Sequence, residues 1–445
     1  MGNTDPFSFL QDLVWEDIPA DVQEFARLLL LDLLGVGLAG TGTDLHKSVQ
    51  RYASRNLRGV CSVLFCDASL SPEGAALLGA MTIDAIDAHD GHRLTKGHVG
   101  CAVLPALLAA VSDCEVSLSG HHFLTLLVAG YEIGSRAGMA LHQTACDYHT
   151  SGAWNAITAA ALSAHVMGLS ETAFAHAIGI AEYHGPRSQM MRVIDHPTML
   201  KDGSGWGSMA GVSAAYLAAE GFTGAPAVSV MEDEVQSHWS TLGQDWETMH
   251  QYLKAFPVCR WAQPAVQAAL DLQKRYNFAA SDIAGVQVKT FSEGTRLWTG
   301  IPETTEQAQY AIGFPVAAAL VRGEVGLPEI SEQAFADPEL RAVLDVTRFE
   351  ATVEYDAKFP AERWADISVK LQCGTVLSGG PTTAKGDPET QLTRDEIIEK
   401  FHLLGHAVCA ADHLKEIEAA VFALDGTRAS FQRLCDLIFR APCRV

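Results

Sequence analysis

The sequence predicts a mainly α-helical fold carrying a smaller α+β module, on three observations. Apolar residues recur at helical spacing through roughly the first 255 residues. Alternating, β-branched segments begin after about Cys259, and helical spacing returns near residue 393. At 445 residues the chain exceeds what one ordinary core holds. The expected organisation is a helical domain over 1–258, an inserted α+β lid over 259–392, and C-terminal helices over 393–445 that rejoin the first domain.

In the first part, "DVQEFARLLLLDLLGVGLAG", "HHFLTLLVAGYEIGSRAGMAL" and "AWNAITAAALSAHVMGL" carry the helical period. Ser71-Pro72-Glu73 supplies a cap, a first-turn proline and an acid for one helix. Ser170 and Glu171 open another after the Gly168 stop. In the second part, "IAGVQVKTF", "RFEATVEYD" and "ADISVKLQCGTVLSGG" read as strands, with "AVQAALDLQKRYNF" as a helix beside them. "SGGPTTAKGDPET" is a loop, and "LTRDEIIEKFHLLG" and "HLKEIEAAVFAL" are the returning helices.

Composition excludes several function classes. A formal charge of −22 repels nucleic acid and anionic membranes, so an anionic ligand needs a local basic pocket. The ten cysteines include no C-x-x-C and read as reduced thiols of a cytoplasmic protein. "MGNTDPFSFLQ" lacks the pattern of a signal peptide, and Pro6 breaks a myristoylation pattern. "LLLLDLLGVGLAG" is interrupted by Asp32 and is too short to span a bilayer.

The densest chemistry lies in "DAHDGHRLTKGH", where seven of twelve residues, from Asp87 to His98, are ionisable between two apolar runs. A metal site, an acid–base site and a solvated loop are the three readings. Asp87, His89, Asp90, His92 and His98 could ligate a metal, but no H-E-x-x-H or similar spacing fixes a geometry, and no metal or cofactor is expected. "GVGLAG" matches a dinucleotide fingerprint, yet it follows a helical rather than a strand pattern and reads as close helix packing.

His98 and His149 each precede a helix start rich in small residues, where free N–H groups attract carboxylates. Lys201 precedes the glycine-rich "GSGWG", whose small residues at 203, 205 and 207 would let a ligand reach the backbone beside Trp206. Lys254 and Arg260 flank Pro257 at the junction of the two composition regimes, a favoured place for a ligand. "EYHGPRSQMMR" adds Tyr183, His184 and Arg187.

Together these pieces resemble the MmgE/PrpD family, which includes 2-methylcitrate dehydratase, cis-aconitate decarboxylase and iminodisuccinate epimerase. The family's "H-A-L-D-F-D-D-T-H" followed by "H-P-x-G-A-V-L-P" is similar to "DAIDAHDGH" followed by "HVGCAVLP". "G-F-H-P-T" is similar to "DYHTSG", "G-x-T-G" after a lysine to Lys201 and "EGFTG", and "K-x-F/Y-P" to "KAFP". "A-Q-F-S-x-P-Y-x-V-A-x-A-L" is similar to "AQYAIGFPVAAAL". The resemblance spans nearly the whole chain in order. It implies a cofactor-independent enzyme, usually a homodimer, acting between a helical domain and a lid on a small anionic polycarboxylate. It places Asp87, His98, His149, Lys201 and Lys254 at active-site positions, with Asp90 and His92 as the second acid and histidine of the motif.

Two departures steer the expected reaction. Gly91 stands where the decarboxylases carry Thr, and Phe314 where they carry Tyr. Loss of two hydroxyls argues against elimination and for proton return, and the chain looks most like the iminodisuccinate epimerase branch. The expected roles are Lys201 with His98 or His149 as a two-faced acid–base pair, Asp87 orienting an imidazole, and Lys254 and Arg260 holding carboxylates. A lyase of a citrate- or aconitate-type substrate is the alternative, and a non-catalytic dicarboxylate-binding protein is a third reading.

Overall fold

The computed structural model describes residues 5–442. The first four residues of the N-terminal stretch read above, and Cys443, lie outside them. The fold is mainly helical with a smaller sheet-containing part, and two apolar cores organise it. The first draws on residues from Phe9 to Leu253 and on Ile397 to Ile438. The second draws on residues 258–371, joined by Met190, Val193 and Ile194 from a short helix of the earlier sequence.

Local signals set the helix starts. The Ser71 side chain accepts from Gly74 N ahead of Pro72–Asp84, and Ser170 accepts from Ala173 N ahead of Glu171–His184. "GVGLAG" closes the buried helix Ala20–Gly40 and forms no strand–turn–helix unit. That helix packs on Pro72–Asp84 and on the C-terminal helix Arg394–Gly405. A hairpin of Arg58–Val63 and Cys66–Leu70 interrupts the helical run. Its short apolar, β-branched and aromatic run "VCSVLFC" was the available signal.

The lid sheet runs in the order Thr347–Ala351, Ile283–Thr290, Trp364–Leu371, Val376–Ser378, with Thr382–Thr383 also pairing Trp364–Leu371. The first pair is parallel and the others antiparallel. The expected strand "RFEATVEYD" is strand only to Ala351. Thr352 then caps the short helix Val353–Asp356 by accepting from Tyr355 N, a side-chain bond that competes with the ladder. No disulfide joins cysteines among the described residues. No single helix among them is long and apolar enough to cross a membrane.

Candidate active site

The segment "DAHDGHRLTKGH" links the helices Pro72–Asp84 and Gly100–Asp113 and is almost wholly buried. Asp87, His89, Asp90, His92 and His98 are each at most 6% exposed, which rules out the solvated-loop reading. Gly91–His92 pairs as a two-residue strand with Gln251–Tyr252. Lys400, on the returning C-terminal helix, pairs with Asp32 at 2.7 Å and donates to the Ala88 carbonyl at 2.7 Å. The last helices thus hold this loop from behind.

A small cavity of about 20 Å³ lies where the loop meets the lid. From the helical side Asp87, Lys96, His98 and Asp202 line it; Tyr252, Lys254 and Arg260 come from the domain junction, and Tyr310 and Arg363 from the lid. It has room for about one water. Asp87, Lys96 and Lys201 have φ of 52°, 53° and 51°, left-handed conformations uncommon outside glycine. Such strain gathers at functional sites.

Asp87 Oδ1 accepts from Lys254 Nζ at 2.7 Å, and its carbonyl accepts from the same ammonium at 2.9 Å. Burial opposes ionisation of Asp87, but the Lys254, Lys201 and His98 charges outweigh it and hold the carboxyl below the usual range. Burial likewise opposes the Lys254 ammonium, and Asp87 outweighs that, so Lys254 stays charged. This corrects two expectations: Asp87 pairs with a lysine and does not orient an imidazole, and Lys254 already has a carboxylate partner within the protein.

The carboxylate beside the imidazole is Asp202, which sequence reasoning missed next to Lys201. His98 Nδ1 faces the Asp90 carbonyl at 2.5 Å, and Nε2 lies 3.4 Å from Asp202 Oδ2. The carbonyl can only accept, so Nδ1 carries a proton and Nε2 is the basic nitrogen. Burial, then Lys254, pull the His98 pKa below 6.5, while Asp202 and Asp87 push the other way. Asp202 also accepts from Ser151 Oγ at 3.1 Å and from Tyr310 Oη at 3.4 Å. Lys201 is 1% exposed, donates to Gln309 Oε1 at 2.5 Å, and lies 4.8 Å from the Tyr310 ring centre.

Two tyrosine side chains line the cavity from other positions. A Cβ on Gly91 would meet Tyr252 Oη at 2.4 Å, so the tyrosine hydroxyl occupies the place of a longer side chain there. Phe314 is fully buried in the lid core against Phe335, whereas Tyr310, in the link between the helices Thr305–Gln309 and Gly313–Arg322, lines the cavity. Tyr252 is pushed up to about 12 by burial, against the pull of Lys254, Arg363 and Arg260. It therefore stays protonated and able to donate.

Arg260 pairs with Asp387 and lies 4.8 Å from the Tyr252 ring centre. Arg363, also missed from sequence, is 4% exposed, and its Nε and Nη1 have no hydrogen-bond partner. A buried guanidinium with unpaired donors at a cavity is poised to receive an anion. Lys96, Lys254, Arg260 and Arg363 outnumber Asp87 and Asp202 on the cavity wall, providing the local positive pocket that the net charge demands.

Other expected site residues lie elsewhere. Asp90 accepts from Tyr131 Oη at 2.6 Å and Gly100 N at 3.2 Å, bracing the loop on the core. His92 Nε2 contacts Glu247 at 3.0 Å. His149, its Nδ1 on the Asp147 carbonyl, does not line the cavity. Tyr183 and Arg187 are exposed. Trp206 is 46% exposed and lines a second, mostly apolar groove of about 650 Å³ with Tyr52, Met199 and Leu200; Lys201 lines this groove and not the small cavity. Instead of admitting a ligand, Gly207 brings two helices together: a Cβ there would lie 2.4 Å from the Gly152 carbonyl.

Two groups could hold a cation by proximity. Asp87, His89 and His98 offer atoms within 4.8 Å of one another, but the Lys254 ammonium already neutralises Asp87. His92, Glu247 and His250 form the second, where one Glu247 oxygen meets both imidazoles at 3.0 Å.

Residues 7–247 match the MmgE/PrpD N-terminal domain and residues 256–425 the MmgE/PrpD C-terminal domain. The chain belongs to the MmgE/PrpD family. It is 26% identical to the cis-aconitate decarboxylase-like protein oryM of Aspergillus oryzae, over 97% of this chain and 96% of the relative. It is 25% identical to a cis-aconitate decarboxylase of Aspergillus terreus, over 93% and 91%, and 23% identical to that of Mus musculus, over 90% and 86%. These MmgE/PrpD relatives are named as decarboxylases, which makes an enzyme of the lyase class the better comparison than an isomerase.

Proposed function

We propose that the chain is a lyase of a citrate- or aconitate-type polycarboxylate, with elimination or decarboxylation in place of the expected epimerisation. The observation that carries this reading is the pair of cavity hydroxyls, Tyr252 and Tyr310, which remove the reason for doubting elimination. The decarboxylase relatives support it.

The unpaired donors of Arg363, with Arg260, bind substrate carboxylates. In a dehydration, His98 Nε2 removes the proton next to a carboxylate, and the electron pair is held as an enediolate by these cations. A tyrosine hydroxyl then protonates the departing hydroxyl, which leaves as water as the double bond forms. In a decarboxylation, the carbon–carbon bond to one carboxylate breaks, carbon dioxide leaves, and the electron pair left behind takes the proton of the Tyr252 or Tyr310 hydroxyl, which solvent then replaces. Proton return without cleavage is the second reading: it needs two proton carriers, and His98 and Lys201 are both buried here.

The test is to incubate the protein in D2O with cis-aconitate, citrate, 2-methylcitrate or a single iminodisuccinate stereoisomer, and to follow each by NMR. A new alkene or released carbon dioxide supports the lyase. Deuterium uptake with stereoisomer formation and no alkene replaces it with the epimerase. Binding without exchange defeats both.

A further inference from the structure

Asp84 and His89 flank the site and take no part in the mechanism above. Both are at most 1% exposed, and neither the Asp84 oxygens nor the His89 nitrogens have any hydrogen-bond partner among the described residues. His89 Nε2 lies 3.6 Å from Asp84 Oδ1. Leaving four buried polar atoms unsatisfied would cost about 1–3 kcal/mol each, so a contact a few tenths of an ångström shorter than 3.6 Å is strongly favoured. The other face of the His89 ring environment is the catalytic candidate: its centroid lies 4.3 Å from that of His98.

We propose that Asp84 and His89 form one proton-sharing pair that positions His98, with the imidazole rather than the carboxylate placed against the His98 ring. The role assumes that His98 moves the proton in the proposed lyase; the pairing itself does not. The surroundings favour a neutral pair. Burial, with Asp202 and Asp87 on one side against Lys201 and Lys254 on the other, raises Asp84 to about 7. Burial, His98, Lys254, Lys201 and Lys400 all push His89 well below 6.5. Both shifts run towards a neutral pair, in which the carboxyl O–H donates to the imidazole. A carboxylate at 89 would instead stabilise protonated His98 and weaken its service as a base.

The experiment uses the full chain labelled with 15N-histidine, His98 being assigned by loss of its signal in His98→Asn. Asp84→His and His89→Asp are made singly and together. Each single change brings two like groups face to face and is expected to lower the thermal midpoint by about 5 °C or more, while the double exchange recovers most of the loss. In the double exchange His98 is expected to titrate about one pH unit higher than in the wild type. Additive losses, or an unmoved His98 titration, would overturn the proposal. If a single variant does not fold, the double decides alone: folded with a raised His98 it supports the pair, unfolded it refutes it. Both readouts need no substrate, so a protein that turns over no polycarboxylate would defeat the proposed function and leave this test standing.

Discussion

Replacing Lys254 with Met should destabilise the protein by an amount that depends on pH. At 2.7 Å and an effective dielectric of about 20, the Asp87–Lys254 attraction is about 6 kcal/mol, against a desolvation cost of several kcal/mol per buried ion. The net worth of the intact pair is therefore small. Removing one partner is different, because Asp87 is then left buried and charged, and such single deletions cost about 3–5 kcal/mol. In the wild type the depressed Asp87 pKa gives stability that is present above its unfolded value and lost as pH falls through the folded one. In Lys254→Met the main attraction is gone and burial dominates, so Asp87 titrates higher and gains stability by protonating as pH falls. The urea midpoints of wild type and variant should thus differ most near pH 8 and converge towards pH 5. Asp87→Asn with Lys254→Met should recover much of the loss, since both charges leave together. A Lys254→Met loss below about 1 kcal/mol, or one equal at both pH values, would refute this account of the pair.

Further outcomes are expected at the same site. Tyr310→Phe and Tyr252→Phe should each lower kcat by about 10²-fold with a small change in KM, the scale of a lost proton donor, measured by steady-state kinetics on whichever polycarboxylate is turned over. Phe314→Tyr should fail to rescue Tyr310→Phe and should destabilise the lid by about 1–3 kcal/mol in urea unfolding, because it buries a hydroxyl in an apolar core. Arg363→Ala should raise KM by about 30-fold, equivalent to about 2 kcal/mol for a charge-assisted bond, and Arg363→Lys should recover only part of it. The kcat/KM profile should rise with pH through a group below 6.5, His98 in its basic form; Asp202→Asn removes a raising charge and should move that limb to lower pH.

Much of the architecture was legible from short-range signals. Ser71-Pro72-Glu73 and Ser170 start the helices they were expected to start, because a cap is a contact within one turn. Alternation in "IAGVQVKT" gave a strand whose buried and half-buried residues alternate from Gly285 to Thr290, after a register shift between Ile283 and Gly285. The turn at Thr352 was less visible, since one side-chain hydrogen bond decided between strand and helix.

The site was legible in part. His98, Lys201 and Lys254 stood out by their local settings and Asp87 by motif likeness; all four are deeply buried, and Asp87, His98 and Lys254 line one cavity. Asp202 and Arg363 went unnoticed, because a lone acid after a lysine and a lone arginine before a strand carry no periodic or spacing signal. Trp206, Tyr183 and Arg187 attracted notice by residue type, but the first two lie on exposed helix faces and Arg187 in an exposed link between helices. The two hydroxyls show the limit most directly. Comparing positions 91 and 314 with the family pattern registers a loss, while Tyr252 and Tyr310 line the cavity from other positions.

By itself the sequence determined the helical period, the caps, the alternating strands and the dense ionisable segment between two apolar runs, all of which are properties of neighbouring residues. Only the tertiary structure decided which carboxylate faces which base. That depends on side chains more than a hundred residues apart, such as Asp87 with Lys254 and His98 with Asp202, meeting in a dry junction where burial and a few ångströms set every charge.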